Sequence, residues 1–290
     1  MRHVTYKTSI AYLTGRVRHS MILTKSNRKP GATRSQEHGD PNEAPAQHEA
    51  ELSADGKHPI AILEELPEAV VPERRRTAGL YHFAILVPDR KSLGLSVGHL
   101  IRHGVDFGQG DHWVSEAIYL SDPDNNGIEI YADRPRSEWE YDPQGGVKMG
   151  TDPVDVRGLL ELAGGEPWNG LPAGTKIGHI HLHVSDLPSS RQFYCDVLGF
   201  GLMANFANSA LFVSAGGYHH HIGLNIWAGV GAPPAPPQAP GLKYYEVLVP
   251  ELAELKAIGS RLAEAGIPFE RKDEAIEVQD PSGNTLIIRT

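Results

Sequence analysis

Three stretches of this chain share one register, and that repeat limits the folds open to it. Leu80 to Asp89 reads LYHFAILVPD, and Leu242 to Glu251 reads LKYYEVLVPE. Asp122 to Ile130 reads DPDNNGIEI, and Asp280 to Ile288 reads DPSGNTLII. The segment from Ile177 to Asp186, IGHIHLHVSD, falls in the same frame. Each opening run alternates as a strand does, a helical spacing follows, and a turn leads into further strands. A unit repeated in this way buries its apolar face against its own copies. The expected class is therefore α+β, with repeated βαβββ modules pairing into curved half-barrel sheets.

Within the module opened by Leu80, Leu93, Val97, Leu100 and Ile101 recur at helical spacing, and Gly104 stops the helix. Val114 to Leu120 and Ile128 to Tyr131 read as strands on either side of the turn at 122–127. The next module puts its helix at Ser189 to Leu198. The last one follows a proline-rich run at 231–240, which reads as a stiff spacer. Residues 50–65 look like the tail of a further copy, so the first module is expected to be incomplete. Residues 1–48 carry eight Lys and Arg and no acid before Glu37, followed by a polar run, and read as a disordered N-terminus. The domains expected are that terminus, an N-terminal domain at 49–135, a linker with one short helix at 136–175, and a C-terminal domain at 176–290.

Composition removes several classes of function. Lys and Arg number 27 against 36 Asp and Glu, a net charge of −9, which argues against nucleic acid as the main partner. No apolar run approaches the roughly 18 residues of a membrane span. A single cysteine, Cys195, excludes an intrachain disulfide and fits a reducing compartment, so a cytoplasmic location is expected. Cys195 falls on a helical pattern, where a small buried residue is a better reading than a nucleophile.

The chemistry lies in the repeat. His82, His179 and Tyr244 share one position of the register, and Glu129, Asn225 and Ile287 share another. Glu129 stands between two isoleucines, and an inward carboxylate there is costly unless paired or metal-bound. The spacing Asp122, Asp124, Asn126 with Gly127 imitates a calcium loop, but strands flank it rather than helices.

Residues 178–187, GHIHLHVSDL, followed by FYCDVLGF at 193–200, resemble the vicinal oxygen chelate superfamily. That superfamily contains glyoxalases, bleomycin-resistance proteins and extradiol dioxygenases, and the resemblance extends over residues 50–290. Within it, the chain looks most like the extradiol catechol dioxygenases of bacteria. The resemblance implies metal ligands at His82, Glu129 and His179, with His112 (preceded by Asp111) and Tyr119 beside them. It implies a proton-transferring histidine at His221 or its neighbour His220. It further implies Fe(II), with Mn(II) as a substitute, a small aromatic diol and O2 as substrates, and a homo-oligomer as one assembly. The alternatives on the same fold are a glyoxalase-type isomerase and a metal-free binding protein. One feature departs from the family pattern, since the glutamate-bearing module comes first in the chain. The ligand set is complete only if the second and third modules face each other, which leaves the first and fourth as a metal-free half. No opening strand for the first module is recognisable in 1–48.

Overall fold

The computed structural model describes residues 7–15 (backbone only), 49–71 and 76–290. Along the chain run β1 (Lys7–Gly15), β2 (Glu49–Ser53), β3 (Pro59–Glu65), β4 (Gly79–Leu86), α1 (Arg90–Arg102), β5 (Gly108–Asp111), β6 (Ser115–Ser121) and β7 (Gly127–Asp133). Then follow α2 (Val156–Ala163), β8 (Lys176–His183), α3 (Leu187–Arg191), β9 (Gly201–Phe206), β10 (Ala210–Ser214) and β11 (Ile222–Asn225). The chain closes with β12 (Gly241–Leu248), α4 (Leu252–Glu264), β13 (Phe269–Lys272), β14 (Ala275–Gln279) and β15 (Thr285–Arg289). The third helix extends past α3 in a run of wider turns over Gln192–Val197.

The modules pair as the ligand argument required. One sheet has the order β5-β6-β7-β4-β8-β11-β10-β9 and unites the second and third modules. The other, β13-β14-β15-β12-β1-β3-β2, unites the first and fourth. Within a module the first and last strands are parallel neighbours, β4 with β7 and β12 with β15. A crossover helix between parallel strands produces that arrangement. Two modules then join through their first strands, which run antiparallel: β4 on β8, and β1 on β12.

The expectation of a disordered N-terminus is corrected at Lys7–Gly15. That segment is a strand between β12 and β3, antiparallel to the first and parallel to the second. It is the opening strand missing from the first module. Its sequence, KTSIAYLTG, mixes polar and apolar residues without clean alternation, so periodicity alone does not mark it. The remainder of 1–48 lies outside the described residues.

Turn chemistry explains the regular strand ends. Asp122 Oδ1 accepts the backbone N–H groups of Asp124 and Asn126, and its Oδ2 accepts the Asn126 side-chain amide. Asp280 does the same with Ser282 and Asn284. The calcium-loop imitation is therefore a side-chain-capped turn. In the core, Arg261 of α4 donates to the carbonyls of Val197 and Leu198 at the end of the third helix. Tyr194 donates to Asp280 at 2.9 Å, which ties the third module to the fourth. No helix among the described residues is long and apolar enough to cross a membrane.

Candidate metal centre

The register of three strands sets the site. Ala84 on β4 stands opposite Glu129 on β7 and opposite His179 on β8. His82 lies two residues back on the same face of β4, diagonal to both. Around the small Ala84 side chain, then, one carboxylate and two imidazoles converge. Glu129 Oε2 lies 2.9 Å from His82 Nε2 and 3.1 Å from His179 Nε2, and the two Nε2 atoms are 3.4 Å apart. All three side chains are buried.

These separations fit a shared cation. Donors about 2.1 Å from one ion and at right angles to each other are separated by about 3.0 Å. The electrostatics agree. Burial, the largest effect on Glu129, pushes its carboxyl up, but the adjacent His179 and His82 outweigh it and hold the group well below the usual carboxylate range. Burial also drives His179 down to about 4, with Glu129 partly opposing it. An ionised Glu129 beside a His179 that burial keeps neutral suits a divalent metal, whose binding displaces any ring hydrogen facing it. The ring nitrogen of His179 that faces away, Nδ1, has no partner among the described residues.

His112 and Tyr119 flank this set on the side of β6. The imidazole Nδ1–H of His112 donates to the Gly150 carbonyl at 2.8 Å, and its Nε2 lies 2.6 Å from Tyr119 Oη. The carbonyl fixes the tautomer, so Nε2 accepts the phenol proton. Tyr119 stands opposite Glu129 across the strands, with its ring 5.6 Å from that of His82. Gly150 comes from the segment expected to act only as a linker. That segment walls the site, and its Trp139 is buried against the rings of Tyr218 and His219.

The three consecutive histidines divide. The ring of His220 lies 4.0 Å from that of His179, centroid to centroid. His221 turns away: its Nδ1 accepts the Ala215 N–H at 3.3 Å and lies 3.1 Å from Ser214 Oγ. These contacts separate the two: His220 rather than His221 packs against His179. His219 has no solvent-exposed side chain and bonds Asp133 at 3.0 Å and His220 at 2.7 Å.

Sequence reasoning missed Tyr81. Strict alternation would turn it away from His82, yet its ring lies about 5 Å from those of His82, His181, His183 and Trp227. The pairing of β4 with β8 shifts register between Leu80 and His82. Such an irregularity re-aims a side chain, and one strand read by itself carries no signal of it.

The comparisons with known proteins agree with this picture. The family described as the Glyoxalase/Bleomycin resistance protein/Dioxygenase superfamily matches residues 176–288. A catechol-2,3-dioxygenase of Bacillus subtilis (strain 168) is 58% identical over 240 residues, which cover 82% of this chain and 84% of that protein. Among solved structures, a protein of Bacillus subtilis subsp. subtilis str. 168 aligns over 99% of this chain and 86% of its own, with 12% identity and a TM-score of 0.57. Glyoxalase I from Zea mays aligns over 99% and 93%, with 11% identity and a TM-score of 0.50. The two structures share the fold, and the sequence relative settles the lineage: the chain belongs to the glyoxalase/bleomycin resistance protein/dioxygenase superfamily.

Proposed function

We propose that this protein is an extradiol ring-cleaving dioxygenase that inserts O2 into a catechol-like diol. The observation that carries the reading is the meeting of His82, His179 and Glu129 donor atoms within 3.4 Å of one another. Two histidines and one carboxylate are the ligand set of non-haem Fe(II) oxygenases with open positions. The catechol-2,3-dioxygenase relative supports the choice of diol over other substrates. His82, Glu129 and His179 would hold Fe(II), with Mn(II) as the substitute. When bound, the ion supplies chelation of both diol oxygens and activation of O2.

The rest falls to the chain's own groups. A diol must lose a proton as it binds, and His220, beside His179, is placed to take it and return it. Burial is the largest of the effects that keep His220 well below the ordinary imidazole range, so it stays neutral until a proton is delivered to it. Tyr119 keeps its proton, since burial first and the Glu129 charge second push its phenol well above the ordinary range. That proton is held in the bond to His112 Nε2, so toward a substrate hydroxyl the Tyr119 oxygen acts as an acceptor, and His112 keeps the phenol in place.

Anaerobic loading with Fe(II), followed by catechol and O2, should give a yellow ring-opened semialdehyde. Fully loaded protein that turns over no diol would reject the assignment.

A further inference from the structure

A hydrogen-bonded chain runs from the protein's edge to His220 and uses groups that the reaction as described leaves idle. Asp133 closes β7, and its side chain is 27% exposed. Its carboxylate accepts the Tyr218 hydroxyl at 3.0 and 3.1 Å and faces His219 Nε2 at 3.0 Å. Tyr131 lies 2.8 Å from Tyr218 Oη. The far nitrogen of His219, Nδ1, lies 2.7 Å from Nδ1 of His220.

The directions of these bonds follow outward from one fixed point. A carboxylate can only accept, so Tyr218 donates its proton to Asp133 and must accept from Tyr131. For the same reason His219 donates from Nε2. A neutral imidazole with its proton on Nε2 has a bare Nδ1, which can only accept. His220 must then carry its proton on Nδ1, and its Nε2 holds the lone pair.

We propose that Asp133, acting through His219, is a positioning residue that sets the tautomer of His220 so that Nε2 is the base. This rests on the proposed function for the identity of the proton donor, a hydroxyl of the bound diol. The proton passes from that hydroxyl to His220 Nε2. The Nδ1 proton stays in its bond to His219, and no other bond is made or broken. The reach from Asp133 crosses between modules, since Asp133 and Tyr131 belong to the second while Tyr218, His219 and His220 belong to the third. Gly178 makes room for it: a Cβ there would lie 1.8 Å from the Tyr131 hydroxyl.

The test reads the tautomer directly. Protein labelled with 15N-histidine, both metal-free and loaded with diamagnetic Zn(II), gives long-range proton–nitrogen spectra that show which ring nitrogen carries hydrogen. The His220 signals are assigned by their loss in His220→Gln. The expected result is hydrogen on Nδ1 and none on Nε2. In Asp133→Asn, whose amide can present a donor to His219, the His220 proton should shift toward Nε2. Asp133→Glu should restore the original pattern. With Fe(II), Asp133→Asn should lower kcat about 100-fold, the lower end of a general-base contribution, with KM nearly unchanged. Hydrogen on Nε2 of His220 in the unaltered protein overturns the proposal, as would protons on both nitrogens of His219. That readout needs no variant, so a misfolded Asp133→Asn would not protect the idea. It is also separate from the assignment of the reaction, which fails only if iron-loaded protein does not cleave a diol.

Discussion

At the scale of single residues, Ala84 matters as much as the candidate donors around it. It is fully buried between Glu129 and His179 on neighbouring strands, and its methyl group is the floor over which the donors meet. Ala84→Val keeps every donor but adds volume beneath them, and overpacking of this kind costs typically about 1–3 kcal/mol. The expected outcome is a folded protein that retains much less metal after dialysis, measured as metal per chain. Metal content equal to that of the unaltered protein would refute this role. Glu129→Gln should lose more than the roughly 10- to 100-fold in metal affinity typical of indirect supporting groups, because it removes the charge itself. Cys195 illustrates an idle group. Burial pushes its thiol up to about 11, so about 0.1% is thiolate at pH 8, against about 10% at the ordinary value. Alkylation by iodoacetamide should be roughly 100-fold slower in the native protein than in denaturant; equal rates would contradict the burial.

At the scale of elements, the site is held by close approach between strands. A Cβ at Gly127 would lie 2.1 Å from the Tyr81 carbonyl oxygen and 2.9 Å from His82 Cβ. Gly127→Ala must therefore push β7 from β4 at the residue that stands opposite His82. It should lower thermal stability and displace His82 from Glu129, seen as a lower melting temperature together with weaker metal binding. A normal melting temperature and full metal content would show that the strands can give. Most elements were legible because their apolar residues recur at two clear periods: the α1 stripe of Leu93, Val97 and Leu100, and the β7 alternation around Glu129. The Asp-led turns were legible from residue type, although only the hydrogen bonds show why Asp122 imitates a metal loop. What the sequence hid has a common cause. Neither β1, with its irregular pattern, nor the register shift that sets the partly exposed Tyr81 beside His82 is a property of one strand; each exists only through its neighbour. Deleting residues 1–15 should expose the edges of β3 and β12, seen as lost cooperativity in thermal unfolding. An unchanged transition would mean that β1 adds nothing to its sheet.

At the scale of the whole molecule, the pairing of modules decides which histidines are buried together, and that has a consequence for stability against pH. The candidate donors were readable because the repeat put His82 and His179 at one register position and Glu129 at another, and the family resemblance then asked modules two and three to pair. The choice between His220 and His221 was not readable, because both fit the same short run and only the packing against β8 and β10 separates them. Burial drives His179 down to about 4 and His221 to about 3, while an unfolded imidazole titrates near 6.5. Between those values the unfolded chain binds more protons than the folded one, so stability rises with pH there and falls on acidification. Glu129, held below the usual carboxylate range, acts in the same direction at lower pH. Asp122 and Asp280, pushed up by burial, oppose it, since their folded forms prefer the proton; two carboxylates do not offset several imidazoles. Metal-free protein should therefore lose melting temperature steadily from pH 6.5 down to 4, by the equivalent of about 3 kcal/mol for His179 alone at full effect. His221→Gln should flatten part of that slope, because an amide has nothing to protonate. A melting temperature that holds level or climbs over this range would mean that the imidazoles are charged inside the fold, and the cation site read from them would have the wrong protonation to bind.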